Sequence, residues 1–142
     1  MKYILIATHG TMAEGMESTI EMICGKKENV KYMSFYTKDV DYEKLVADFI
    51  DSLLENDEAV IFTDIFYGSV SKKFLPYLEK KGIHMITGFN LPLVLELIMC
   101  DDEWTKETFD ECIKTGFEQM YYVDIKEILN NANNTETDDD FF

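Results

Sequence analysis

A histidine can accept a phosphoryl group, hold a metal or move a proton, and what its two ring nitrogens meet decides among these. This chain has two, His9 and His84. His9 closes the apolar run from Tyr3 to Thr8 and is followed at once by Gly10, so it falls at the carboxyl end of a first predicted strand. Asp64 falls at the same end of a later run, Ala59-Val60-Ile61-Phe62-Thr63. If those two strands are neighbours, imidazole and carboxylate can meet. The carboxylate would then accept a hydrogen bond from one ring nitrogen, fixing the tautomer and leaving the other nitrogen as nucleophile. Just beyond, Tyr67-Gly68-Ser69 leads into a predicted helix. Its first amides and positive dipole end suit an anion, and glycine lets the backbone come close. A nucleophilic imidazole, an orienting carboxylate and a phosphate-sized anion site are the parts of phosphohistidine chemistry.

Taken singly, each feature is ordinary. A histidine at a strand end more often caps or faces solvent, Asp64 suits any turn, and Gly-Ser is a common way to begin a helix. The combination carries the reading. His84 sits beside the start of the fourth predicted strand, at the end opposite the presumed site, and is read as structural.

The elements that must position these residues alternate along the chain. Apolar runs at 3–8, 30–35, 59–63 and 83–87 read as strands. Between them, helical spacing recurs at Met12, Met16, Ile20 and Ile23, and again at Leu45, Phe49, Ile50 and Leu53. A third helix is predicted from Ser69 to Lys81, where Gly82 stops it, and further helices over 91–100 and 105–120. Residues 121–125 read as a last short strand before another helical turn. Strands separated by helices of this length imply a parallel sheet covered on both faces. Right-handed crossovers leave an open, doubly wound α/β sheet, in which ligands bind beyond the carboxyl ends of the strands. Met12, Met16 and Met22 are read as core packing, while Trp104, Tyr121 and Tyr122 suit either core or interface.

Bulk properties narrow the function classes. The 142 residues suit a single domain, read as 1–129 with an acidic polar tail over 130–142. With 13 basic against 28 acidic residues, a net of −15, neither nucleic acid nor an anionic membrane surface is an expected partner. No stretch approaches the length that crosses a bilayer, and the apolar start is too short for a signal peptide. Cys24, Cys100 and Cys112 share no short metal spacing and read as reduced thiols, which points to the cytoplasm. No metal and no cofactor is expected, since acidic residues do not converge at the predicted strand ends.

Three segments resemble the IIA proteins of the mannose–fructose–sorbose family of bacterial sugar phosphotransferase systems. Ala7-Thr8-His9-Gly10, followed by a helix with Ala13-Glu14-Gly15, is similar to the family's phosphorylation segment. Asp64-Ile65-Phe66-Tyr67-Gly68-Ser69 resembles its Asp-x-x-Gly-Gly-Ser-Pro turn, and Gly88-Phe89-Asn90-Leu91-Pro92-Leu93 its Gly-x-Asn-Leu-Pro-Met segment. The likeness runs over about residues 1–126 in order and spacing. It implies that His9 takes a phosphoryl group from the general carrier HPr and hands it to a IIB protein or domain. Asp64 would orient the ring, and Ser69, with the nearby amides of Gly68 and Gly10, would hold the phosphate. It further implies a sheet of order 2-1-3-4 and a fifth, antiparallel strand around 121–125 exchanged within a homodimer.

Two departures stand out: Tyr67 replaces the first glycine of the family's pair, and Val70 replaces proline. If the position of Tyr67 requires positive φ, a tyrosine there is strained by about 1 kcal/mol or more. Three alternatives stay open at this stage. The phosphotransferase subunit of a dihydroxyacetone kinase shares the fold, but its turn after the third strand is shorter. A regulatory module could keep the fold without transfer. A flavodoxin-like cofactor binder would need a hydroxyl-rich loop where the sequence has Thr8-His9-Gly10-Thr11-Met12.

Overall fold

In a computed structural model of the chain, which describes residues 1–134, four strands alternate with helices. The strands are β1 (Lys2–His9), β2 (Val30–Phe35), β3 (Glu58–Thr63) and β4 (Ile83–Thr87). The helices are α1 (Met12–Cys24), α2 (Tyr42–Asp51), α3 (Ser69–Phe74), α4 (Leu91–Ile98), α5 (Lys106–Glu118) and α6 (Ile125–Asn134). The strands form one parallel sheet in the order β2-β1-β3-β4, the open doubly wound α/β arrangement expected from the sequence.

The alternation of side chains along a strand builds a core on each face. Ile4 and Ile6 of β1, with Val60 and Phe62 of β3, pack against Ile20 of α1, Val94 of α4 and Phe109 of α5. Leu5, Ala7 and Ile61 point the other way, against Val46 and Ile50 of α2 and Val70 and Phe74 of α3. Burial on both faces is why β1 and β3 read as near-continuous apolar runs. Phe62 is fully buried between its neighbours, and truncating such a side chain to alanine costs about 3–5 kcal/mol. Helix α2 begins where the Asp41 carboxylate accepts from Lys44 N–H at 3.1 Å, and it buries Tyr42, Val46 and Ile50 on one stripe.

Two expectations are corrected. The inward stripe of α1 runs through Ala13, Met16, Ile20 and Cys24; Met12 is 47% and Met22 85% exposed. The reason is local: Ala13 N–H donates to the buried Thr8 hydroxyl at 2.8 Å, turning Ala13 rather than Met12 onto the sheet. Helix α3 stops at Phe74 instead of Lys81, because Pro76 lacks an amide hydrogen, and a single 3₁₀ turn, Leu75–Tyr77, replaces the missing turns. Residues 121–125 form no strand in the single chain, and Ile125 instead starts α6. A strand exchanged between subunits acquires its ladder only from a second copy. Residues 130–134 of the expected tail continue α6 on an exposed surface, and the rest of the tail lies outside the described residues.

Trp104 is buried and packs against Phe109, whereas Tyr121 and Tyr122 are exposed. Among the described residues, the three cysteines are free thiols and no helix is long and apolar enough to cross a membrane.

Candidate functional site

The register of the sheet brings the two chemistry-bearing strand ends together. Ala7 of β1 lies beside Thr63 of β3, and His9 lies beside Phe35 of β2. Asp64, one residue past β3, therefore reaches across to His9. Its Oδ2 accepts from His9 N–H at 2.8 Å and from the ring at Nδ1, 2.9 Å away. Its Oδ1 accepts from Ile65 N–H at 3.0 Å. Burial opposes ionisation of Asp64, but the hydrogen bonds from His9 and the adjacent ring outweigh it and hold the carboxyl below its usual range.

A carboxylate can only accept, so Nδ1 of the neutral ring carries the hydrogen and the lone pair sits on Nε2. Nε2 is on the exposed side, 3.1 Å from Ser69 Oγ. The Ser69 hydroxyl can donate to it, and that hydroxyl oxygen in turn accepts from Tyr36 O–H at 3.0 Å. The nucleophilic nitrogen thus faces solvent with one hydroxyl resting on its lone pair, while its partner nitrogen is pinned by a nearly buried carboxylate.

The loop carrying Ser69 is rigid for reasons visible residue by residue. Gly68 N–H donates to Ile65 O at 3.1 Å, closing a tight turn with Tyr67 in third place at φ 57°. Turns of that geometry ordinarily place glycine or asparagine there, so Tyr67 carries the strain that its position threatened. The buried Ser71 hydroxyl lies 3.0 Å from Ile65 O and 3.1 Å from Gly68 O and ties the turn to α3. Gly68 itself has ordinary φ; a side-chain carbon there would sit 3.3 Å from His9 Cε1 and 3.2 Å from Ile65 O, a tight fit that would press on the imidazole. The Phe66 and Tyr67 rings meet edge to face at 4.5 Å and stand exposed beside the site.

Of the residues singled out in the sequence, His9, Asp64, Gly68 and Ser69 converge. Gly10 lies in the same loop at φ 57°, but its amide donates to Phe35 O at 2.9 Å, so it shapes the turn after His9. His84 lies away from this cluster, 3.9 Å from Glu58 and against the Phe109 ring. Sequence reasoning missed Tyr36. Its only signal was its place directly after the second strand, on a sheet whose strand ends face the site. Asn90, from the third resembling segment, has a scaffold role: it accepts from Leu93 N–H and donates to Gly116 O, locking α4 to α5.

A family model described as the PTS system fructose IIA component, of the EIIA-man family, matches residues 3–115. The chain belongs to that family. The chain is 30% identical, over 119 residues, to the mannose-specific EIIAB component of Escherichia coli; the match covers 81% of this chain and 36% of that protein. The chain therefore spans about a third of the length of the curated relatives it matches. Among solved structures, it is similar to a candidate phosphoenolpyruvate-dependent sugar phosphotransferase permease from Klebsiella pneumoniae. That likeness has a TM-score of 0.80 at 29% identity, covering 85% of this chain and 90% of that one. The IIA protein associated with the fucose utilization operon of Streptococcus pneumoniae follows, with a TM-score of 0.74 at 27% identity, covering 91% and 96%.

Proposed function

We propose that His9 Nε2 accepts a phosphoryl group from phospho-HPr and passes it to a IIB protein or domain during sugar uptake, in the cytoplasm. The observation that carries this reading is the His9–Asp64 contact at 2.9 Å through Nδ1, which leaves Nε2 as the exposed nucleophile. In-line transfer between histidines needs little from the protein beyond positioning and charge stabilisation. As the phosphoryl group arrives, the donor nitrogen keeps the electron pair of the breaking P–N bond and Nε2 supplies the pair for the new one. The His9 ring gains positive charge, which Asp64 stabilises through Nδ1–H. Ser69 O–H turns from Nε2 to a phosphoryl oxygen. Gly68, its own amide closing the turn on Ile65 O, lets the anion come close, and the first amides of α3 supply further donors in a chain whose net charge of −15 offers the anion little else.

The exposed apolar residues Met120, Tyr121, Val123 and Ile125 support a homodimer in which this segment pairs with a second copy. The test of the carrier role is incubation with phosphoenolpyruvate, enzyme I and HPr, followed by mass measurement. One added phosphoryl group, labile to acid and absent in His9→Ala, is the expected result. An unchanged mass alongside phosphorylated HPr would favour a regulatory module that has kept the fold.

A further inference from the structure

We propose that Tyr36 is a positioning residue for phosphoryl transfer, its hydroxyl holding the Ser69 hydroxyl in line with His9 Nε2; this rests on the carrier reading above. Three observations converge on it. The first is the hydrogen-bond chain itself, Tyr36 O–H to Ser69 Oγ at 3.0 Å and Ser69 Oγ to His9 Nε2 at 3.1 Å. A hydroxyl has one hydrogen. If Ser69 spends it on Nε2, its oxygen still has room to accept, and Tyr36 fills that place.

The second is backbone conformation. Tyr36 has φ 65°, a left-handed setting that is uncommon for a bulky side chain and that clusters at working sites. It directly follows Phe35, the residue beside His9 in the sheet, and Gly10 N–H donates to Phe35 O at 2.9 Å. The turn that sends Tyr36 toward Ser69 is therefore anchored to the loop that carries His9.

The third is how the ring is held. Its centroid lies 5.8 Å from that of His9, 5.9 Å from Phe35 and 5.4 Å from Tyr42. The ammonium of Lys73, mostly buried and paired with Glu43 at 3.1 Å, stands 5.9 Å from the same centroid. A phenylalanine would satisfy those ring contacts. The hydroxyl donates to Ser69, and its oxygen also faces the Lys73 ammonium, which leaves its one hydrogen for Ser69.

The consequence for transfer is specific. Before transfer, Ser69 O–H rests on the lone pair of Nε2. When the donor's P–N bond breaks and the P–Nε2 bond forms, that hydrogen has to rotate onto a phosphoryl oxygen. Tyr36 keeps the Ser69 oxygen in place throughout, so the change is a rotation of one O–H bond rather than a search by a free side chain.

Tyr36→Phe removes the hydroxyl and keeps the ring. Single-turnover transfer from phospho-HPr should slow about tenfold, the worth of one neutral hydrogen bond, with its dependence on HPr concentration unchanged. The ¹⁵N resonance of His9 Nε2 in the unphosphorylated protein should move in Tyr36→Phe, as it does in Ser69→Ala. In the Ser69→Ala background, adding Tyr36→Phe should slow transfer no further, because Tyr36 acts through Ser69. A Tyr36→Phe protein with wild-type rate and an unmoved Nε2 resonance would overturn the proposal while leaving the carrier reading intact. Penalties that multiply in the double variant would overturn it too. A wild-type chain that takes no phosphate from phosphorylated HPr would overturn both together.

Discussion

The two histidines of this chain sit at sites built on opposite principles. His9 is the last residue of β1, its Nδ1 held by a carboxylate at 2.9 Å and its Nε2 met by a hydroxyl, with that side of the ring open to solvent. His84 lies in β4 against the Phe109 ring at 4.8 Å. The nearest carboxylate oxygen of Glu58 is 3.9 Å from its Nε2, too far for a hydrogen bond, and that buried nitrogen has no partner among the described residues. A histidine becomes a nucleophile when one nitrogen is fully committed and the other is free to react. At His9 the sheet supplies that division; at His84 the buried Nε2 meets no acceptor in hydrogen-bonding range among the described residues.

The sharpest way to break this contrast is to remove each ring in turn. His9→Gln should abolish phosphoryl uptake, while His84→Gln should take up phosphate at the wild-type rate and shift stability by no more than about 1 kcal/mol; mass measurement and denaturant unfolding report the two. Next in size, Asp64→Asn should slow transfer by about 10²-fold or more, because the orienting acceptor is weakened and the ring's developing charge loses its counterpart. The folded protein should persist, and equal rates in the two proteins would remove Asp64 from the mechanism.

Acid separates the same pair more gently. The Asp64 carboxyl is held below its ordinary range in the folded chain. Its stabilising contribution is therefore full above the unfolded value, about pH 3.9, and is lost as pH falls through the lower folded value. The stability gap between wild type and Asp64→Asn should be wide above about pH 4 and close below it, as read from urea midpoints. The smallest effect belongs to Tyr67. Replacing it by glycine relieves a positive φ and should stabilise the fold by about 1 kcal/mol or less, since glycine also frees the unfolded chain. Transfer from phospho-HPr should survive, because Gly68 and Ser69 keep their places. A destabilised Tyr67→Gly would mean that its ring contact with Phe66 outweighs the strain.

Much of this site was legible in advance because it depends on strand ends. An apolar run buried on both faces has to stop where its backbone leaves the sheet, so His9 and Asp64 announce themselves by interrupting Ile4–Thr8 and Ala59–Thr63. Gly68-Ser69 was visible as a turn entering a helix. The inward face of α1 was misjudged because Met12 and Ala13 are equally apolar in pattern, and only the hydrogen bond to Thr8 decides between them. The helix α3 ends early because Pro76 falls inside the stretch that Gly82 was read as closing.

Tyr36 was not legible at all, since an exposed tyrosine after a strand has no periodic signature and its partner lies 33 residues away in sequence. By itself, then, the sequence determined the alternation of strands and helices, the residues that end β1 and β3, and the family to which those segments belong, because each depends on short-range pattern. The tertiary structure decided that β2 and β3 flank β1, and hence that Tyr36, Asp64 and Ser69 surround one imidazole. Which nitrogen is free, and why a side chain at residue 68 would crowd the imidazole, follow from that approach of three loops, which no local spacing encodes.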